Sequence, residues 1–415
     1  MHPDLKKLRF SVKPFPVEGA RPVELARTMA VHPLTYQELP YEPEYSLYAG
    51  RLTPEKMTNA TPDEMYWAAR QGIILRHTGE HPFEIAGPDA LKLLQRIFPR
   101  DVSKVKTGRC SYQFACYHDG GMITDGLLLR VADDRFWFAQ ADGDLFSWYM
   151  AHAAGLDVTI SDPDVWVSQI QGPRSMVLLA HLLDGPLPEP WRYFDWAEVS
   201  MAGQKVIISR TGFTNELGWE IYFRPENDVE MLGDLILAEG TKMGMLLTAT
   251  PGFRGRRIEA GLLSAGQDFT RHTTPFSVGL GRFIDFDCGD FIGRDALLRA
   301  DRACRTWGIR VQGGIASRGR TLFQGGKAIG RVTSSTWSPY QACGIGIVHL
   351  DTGAQGPGSL VEVEGTDGKR LRGELCSLPM YDPTGEIVRG INRTIPDGPA
   401  PWSGPGRDAA SAQSA

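Results

Sequence analysis

The chain has 415 residues, 42% of them hydrophobic, and sets 44 Lys and Arg against 49 Asp and Glu for a formal charge of −5. This length exceeds the roughly 250–300 residues at which single cores stop growing, so two or three packed domains are expected. Mild acidity without a basic block argues against a nucleic-acid partner, and no run approaches the ~20 apolar residues of a membrane span.

Met1 to Phe10 lack the apolar centre of a secretory signal, so a cytoplasmic protein is expected. Residues 1–60 are rich in Pro and Tyr and weakly periodic, and read as an arm that wraps over other domains and lines a pocket. Helices are expected over 62–71 and over 88–97, where Leu91, Leu94 and Ile97 share a face. Strands are expected over 83–85, 112–117, 126–131 and 136–139. Helices over 145–154, 174–183 and 228–242, with strands over 158–160 and 165–170, continue a mixed α+β pattern to about residue 297. Within it, 205–209 and 219–223 read as a hairpin around a polar turn bracketed by Gly212 and Gly218. Glu220 interrupts the returning strand. Either it faces solvent by alternation, with Trp219 and Ile221 inward, or it is held inside to accept specific hydrogen bonds.

From Thr306 onward, short β-type runs over 307–311, 321–323, 327–333, 344–349, 360–363 and 371–376 are separated by glycines and suggest a small separate barrel or sandwich. Pro396–Ala415 is dominated by Pro, Gly, Ser and Ala and reads as a mobile tail. Six scattered cysteines without a C-x-x-C pair, and nine dispersed histidines without H-E-x-x-H, favour metal-free chemistry. Neither a dinucleotide-binding glycine fingerprint nor a P-loop is present.

Four segments are awkward as pure structure: Asp119-Gly-Gly-Met-Ile-Thr-Asp125, Arg210–Glu220, Arg257–Ser264 and Cys288–Arg294. Together with Gly330–Pro339 and Leu378–Pro383, they resemble the aminomethyltransferase (T-protein) superfamily of the glycine cleavage system over about residues 60–385. The resemblance implies a multidomain α+β T-protein-like fold with a folate site between N-terminal subdomains and a C-terminal β-barrel. The divisions expected are an arm at 1–60, a two-subdomain catalytic region at 61–297, the barrel at 298–395 and a tail at 396–415. It also implies tetrahydrofolate as cofactor, with Asp125 near N5 and Glu220 gripping the pterin, whose adjacent N–H donors suit two carboxylate oxygens. Phe213, Arg254 and Arg256 are expected to support the folate.

Phe213, Asn215–Leu217 and Gly252–Gly261 depart from the aminomethyltransferase pattern. Pro99–Ser103, Asp134–Trp137, Ala141–Asp144, Gln169–Pro173 and Arg257–Asp268 look instead like the tetrahydrofolate-dependent demethylases, which take a methyl group from an ether oxygen or a sulfonium. An aryl ether departs as a phenoxide and needs a proton donor, for which Tyr112 and His118 are candidates, with Asp125 as a relay. A sulfonium departs neutral and needs only a pocket that tolerates a cation. Arg51 is either a bidentate anchor for a benzoate carboxylate or a solvated surface residue. Tyr48, Trp67, Tyr112, Trp148 and Trp196 are candidates for an aromatic pocket wall, or plain core. The expected activity is tetrahydrofolate-dependent O-demethylation of a methoxylated aromatic acid. An S-demethylase and a non-catalytic folate-binding protein are the alternatives. The partner expected is a small-molecule methyl donor, with no metal, nucleic acid or membrane.

Overall fold

Strand alternation organises this fold, because its two open sheets are apolar on both faces and therefore covered on both. The computed structural model describes residues 30–405. In chain order come a hairpin of β1 (Glu44–Tyr48) and β2 (Arg51–Lys56), α1 (Pro62–Gln71), β3 (Ile74–His77), β4 (His81–Ala86), α2 (Ala90–Ile97), β5 (Cys110–Cys116), β6 (Met122–Ala132), β7 (Arg135–Gln140), α3 (Phe146–His152), β8 (Thr159–Ser161), β9 (Trp166–Gln171) and α4 (Ser175–Leu182). Next are β10 (Trp196–Met201), β11 (Gln204–Ser209), β12 (Gly218–Phe223), α5 (Val229–Lys242), β13 (Leu246–Leu247), α6 (Thr250–Glu259) and α7 (Arg294–Arg299). Six strands follow: β14 (Thr306–Val311), β15 (Thr321–Gln324), β16 (Lys327–Ser338), β17 (Cys343–Leu350), β18 (Leu360–Glu364) and β19 (Arg370–Cys376).

The first open sheet runs β10-β11-β12-β9-β3-β13, and the second runs β5-β6-β7-β4-β8. In β12, Trp219, Ile221 and Phe223 point to a core shared with Leu178 and Leu179 of α4 and Leu232 and Ile236 of α5. Tyr222, on the opposite face, joins Ile207 and Val167 against Leu129, Trp137 and Ala139 of the second sheet. The far side of that second sheet, through Leu128, Phe136 and Phe138, packs on α2 and α3. The architecture is thus helices, sheet, sheet, helices, with an apolar seam between the two sheets.

The C-terminal strands close into a six-stranded barrel, β14-β17-β16-β15-β18-β19. Closure pairs both flanks of β14, with β17 and with β19, which leaves no free edge. A third core, including Phe114, Met122, Ile258, Phe269, Phe276, Ile345 and Ile347, joins the barrel to β5, β6 and α6.

At the N-terminal side, residues 30–60 form compact turns and a hairpin rather than a plain extended arm. Ala49 and Gly50 both take positive φ (50° and 76°), the two-residue turn whose twist suits a tight hairpin. Helix α1 starts where Thr61 and Glu64 form a reciprocal capping box with Pro62 in the first turn. At the other end, residues 396–402 are tied down rather than mobile. Gln71 Nε2 donates to Pro396 O (2.8 Å), Ala400 N to Tyr340 O (2.7 Å) and Trp402 N to Gln341 O (2.8 Å). The parts of the arm and tail at 1–29 and 406–415 lie outside the described residues.

Candidate active site

Asp125 is placed by the turn before it. The chain leaves β5, reverses through Asp119–Gly121 and returns as β6, with Asp119 Oδ1 accepting from Gly121 N (3.0 Å) and Tyr117 N donating to Gly121 O (2.7 Å). Gly121 is required, since a Cβ there would stand 2.0 Å from the Arg271 carbonyl oxygen. Asp125 then falls opposite Phe114 and shares its face with Leu127 and Leu129, toward the first sheet. Tyr112, two residues before Phe114, donates its hydroxyl to Asp125 Oδ2 (2.7 Å). Burial pushes the Asp125 carboxyl up to about 6, against the lowering pull of the Tyr112 hydroxyl and a backbone N–H.

Glu220 lies on the facing sheet. Alternation does turn Trp219 and Ile221 into the helix-covered core, but the opposite face meets the second sheet instead of water. Glu220 is 9% exposed and accepts from Gln169 Nε2 (2.9 Å), Thr211 Oγ1 (2.7 Å), Tyr222 OH (3.1 Å) and Ser209 Oγ (3.4 Å). Burial is the main cause that raises its carboxyl to about 7, reinforced by the nearby Glu80 and opposed by the three hydroxyls. Two carboxylates that ordinarily ionise near pH 4 are thus held at the edge of ionisation on facing sheets.

The hairpin β1–β2 packs beside Asp125. Ala49 N donates to Asp142 Oδ1 (3.2 Å), which docks the hairpin tip beside β7. Tyr48 is thereby set among Glu80, Asp125 and Asp142; burial first, then these charges, keeps its hydroxyl protonated.

Several residues expected at the site stand elsewhere. Arg51 is 2% exposed; its Nη1 donates to the carbonyls of Glu80 and Val165 (both 3.0 Å), and its guanidinium lies 3.9 Å above the Trp166 ring. It braces backbone through Nη1 and is buried rather than solvated, with its Nε left without a partner. Arg254 pairs with Glu55 at the surface. Arg256 is fully buried in an ion cluster with Glu216, Glu259, Tyr66 and Tyr381, a structural role in which Arg70 also pairs with Glu216 (3.0 Å). His118 is exposed and packs against Trp148 and His152, in a cleft of about 1080 Å³ whose lining contains neither carboxylate. Trp148 belongs with that outer group, and Trp67 stacks edge-on to Tyr66 of α1. Trp196 packs at the inter-sheet seam and donates Nε1–H to Arg130 O (3.2 Å). Phe213 packs on Ala69, Ile74 and Phe253, in the turn that leads into β12.

Gln169, Ser209, Thr211 and Tyr222, none of which the sequence assigned to the site, complete the Glu220 cradle. Their signal was polar residues at alternate positions of otherwise apolar strands, as in Gln169 and Gln171 of β9. Cys110 and Tyr193, both near Glu220, line a cleft of about 1420 Å³ whose lining does not itself include Glu220. Its lining holds six arginines and two lysines against four aspartates, a field suited to an anionic group.

A raised carboxyl makes the folded state bind a proton that the unfolded chain has already released, so the stability present at low pH is lost as pH rises through the folded value. Replacing Glu220 by Gln removes this loss. The variant is expected to melt above the wild type at pH 8, with the advantage shrinking as pH falls through about 7 and vanishing only near 4.5, the ordinary value of the group. Equal melting curves across that range would mean that Glu220 is solvated.

The arrangement suits a folate. Glu220 offers carboxylate oxygens, and Gln169 Oε1 beside it is buried and without a partner, which matches a heterocycle edge carrying several N–H donors. The basic cleft matches the acidic tail of such a cofactor. Comparison with known proteins agrees. Residues 19–288 match the model of the GCVT N-terminal domain, and residues 305–382 that of the glycine cleavage T-protein C-terminal barrel domain. The chain is 33% identical to dimethylsulfoniopropionate demethylase of Ruegeria pomeroyi over 298 residues, 70% of this chain and 81% of that protein. It is also 33% identical to an aminomethyltransferase of Bacillus subtilis over 318 residues, 74% of this chain and 86% of that protein. Its fold matches the crystal structure of the glycine cleavage aminomethyltransferase T of Bartonella henselae with a TM-score of 0.76 at 23% identity, covering 85% and 98% of the two chains. With two facing carboxylates on the matched domain and its barrel following in the matched order, the chain is a tetrahydrofolate-dependent one-carbon transferase and belongs to the glycine cleavage T-protein family.

Proposed function

We propose that this enzyme demethylates a small methoxylated aromatic acid, passing the methyl group to tetrahydrofolate and releasing a phenol. The observation that carries this reading is the Tyr112 hydroxyl bonded to Asp125 at 2.7 Å. Tetrahydrofolate, when bound, supplies N5 as the nucleophile. Glu220 and Gln169 orient the pterin edge, and the two sheets exclude water around it. Asp125, ionised, takes the proton displaced from N5 as the C–O bond breaks and the N–C bond forms. Tyr112 gives its proton to the departing phenoxide and is reprotonated by Asp125, so charge balances over the turnover. A sulfonium donor would need no such relay.

One observation favours the second reading, a sulfonium donor. Glu80 Oε2 is buried without a hydrogen-bond partner near Tyr48, where it would welcome a cation. The deciding experiment incubates pure protein and tetrahydrofolate with 3-methoxybenzoate, vanillate or dimethylsulfoniopropionate, and detects 5-methyltetrahydrofolate by mass. Product from a methoxybenzoate supports the proposal; product from the sulfonium alone reverses it.

A further inference from the structure

We infer that Arg76 is the residue that selects a carboxylate-bearing methyl donor, by binding that carboxylate on the side of Glu220 away from the basic cleft. The inference rests on the methyl-transfer reading above and names a recognition element of the same site. Arg76 lies on β3, in register with Gln169 of β9, which is in register with Glu220 of β12, which faces Ser209 of β11. Side chains at directly paired positions share a sheet face, so Ser209, Glu220, Gln169 and Arg76 form one row. Three strand spacings of about 4.8 Å place the ends of this row roughly 14 Å apart.

The row has two dissimilar ends. Arg210, next to Ser209, lines the basic cleft together with Cys110 and Tyr193. Arg76, at the other end, lies outside the lining of that cleft. A folate whose pterin is gripped by Glu220 and whose tail fills the cleft leaves the Arg76 end to the second ligand.

Arg76 itself is incompletely satisfied. Its Nη2 donates to Thr250 Oγ1 (3.1 Å), and its guanidinium sits 5.0 Å from the Phe253 ring centroid. Its Nη1 is buried with no hydrogen-bond partner, and among the described residues it forms no ion pair. A guanidinium held on one side by a hydroxyl and an aromatic face presents its remaining N–H groups in the fork that suits a planar carboxylate. Burial lowers its guanidinium from the ordinary value, opposed by the nearby Glu80, Glu38 and Glu55, none of which is bonded to it. Glu38 is occupied by the Tyr45 hydroxyl (2.8 Å), and Glu55 by Arg254. An unpaired buried donor of this kind costs stability, which a bound carboxylate recovers.

The test uses the full-length protein and measures binding and turnover separately. Calorimetric titration with 3-methoxybenzoate and with dimethylsulfoniopropionate compares the wild type with Arg76→Met and with Arg76→Lys, whose retained charge guards against a merely misfolded variant. Expected is at least tenfold weaker donor binding in Arg76→Met, a smaller loss in Arg76→Lys, and a change of less than twofold in tetrahydrofolate affinity. Where methyl transfer is measured, the loss falls on KM and leaves kcat, and the carboxamide of the donor no longer discriminates between wild type and Arg76→Met. Donor binding that depends on Arg76 without methyl transfer would sink the demethylase reading and leave this assignment standing. Failure of both carboxylates to bind the wild type, donor binding indifferent to Arg76, or a loss confined to tetrahydrofolate affinity would overturn it.

Discussion

Asp125→Asn is expected to lower kcat by about two to four orders of magnitude, the range typical of a positioned acid–base group, with tetrahydrofolate affinity changed less than threefold. Asn keeps the volume and can still bond to the Tyr112 hydroxyl, but it cannot take a proton. The pH profile supplies the sign. Burial raises Asp125 to about 6, so the ionised, proton-accepting form is lost as pH falls through that value, and wild-type kcat falls with it. The residual rate of the variant is flat over the same range. Single-turnover measurements separate this from slow product release. A variant that keeps wild-type kcat would remove Asp125 from the chemistry and leave it as a buried strand residue.

The second large effect is on binding. Glu220→Gln is expected to weaken tetrahydrofolate binding about a hundredfold, read by quenching of tryptophan fluorescence. Hydrogen bonds to a charged group are worth about 1.5–3 kcal/mol each, and a factor of ten corresponds to about 1.4 kcal/mol. Gln also presents an N–H pair toward a ligand edge that itself donates, so one contact becomes repulsive. In the wild type, affinity rises with pH through about 7, because ligand donors favour the ionised carboxylate that burial alone disfavours. The variant loses that dependence. The ligand thus uses a charge that the empty protein holds at a cost, and the variant that binds worse is the one expected to melt higher at pH 8. Unchanged affinity would place the pterin elsewhere.

Much of this architecture was legible in one sequence. The helix expected over 62–71 is α1, residue for residue, because Thr61, Pro62 and Glu64 spell out its start. The six β runs of the C-terminal part become the six barrel strands, since glycines punctuate them and short apolar runs have few other uses. Asp125 and Glu220 were singled out by their motifs, and the structure buries both carboxyls. What could not be read was the partner of each surface. Alternation in β12 correctly separated Trp219 and Ile221 from Glu220, but only tertiary structure shows that a second sheet covers the polar side. Arg51 stood out in the sequence and Arg76 did not. Only tertiary structure shows that the first lies buried against Trp166 and two carbonyls and that the second shares a register with Glu220. Helix α6 escaped notice because Gly252 and Gly255 dilute its pattern, while its stability comes from long-range contacts of Phe253, Arg256 and Ile258.

The Arg256 cluster bears on how the molecule comes apart. One guanidinium is shared by a carboxylate from the β11–β12 turn, a carboxylate from α6, a phenol from α1 and a phenol that follows the barrel. Ser338 of β16 bonds to the same Glu259. Were the barrel to melt first, this cluster would keep its buried ion pairs but lose the Tyr381 and Ser338 hydroxyls, and each buried polar group left unsatisfied costs about 1–3 kcal/mol. Partial unfolding is therefore penalised from both sides. The cluster thus ties the two-sheet body to a barrel that contributes no residue to the Asp125 or Glu220 hydrogen bonds.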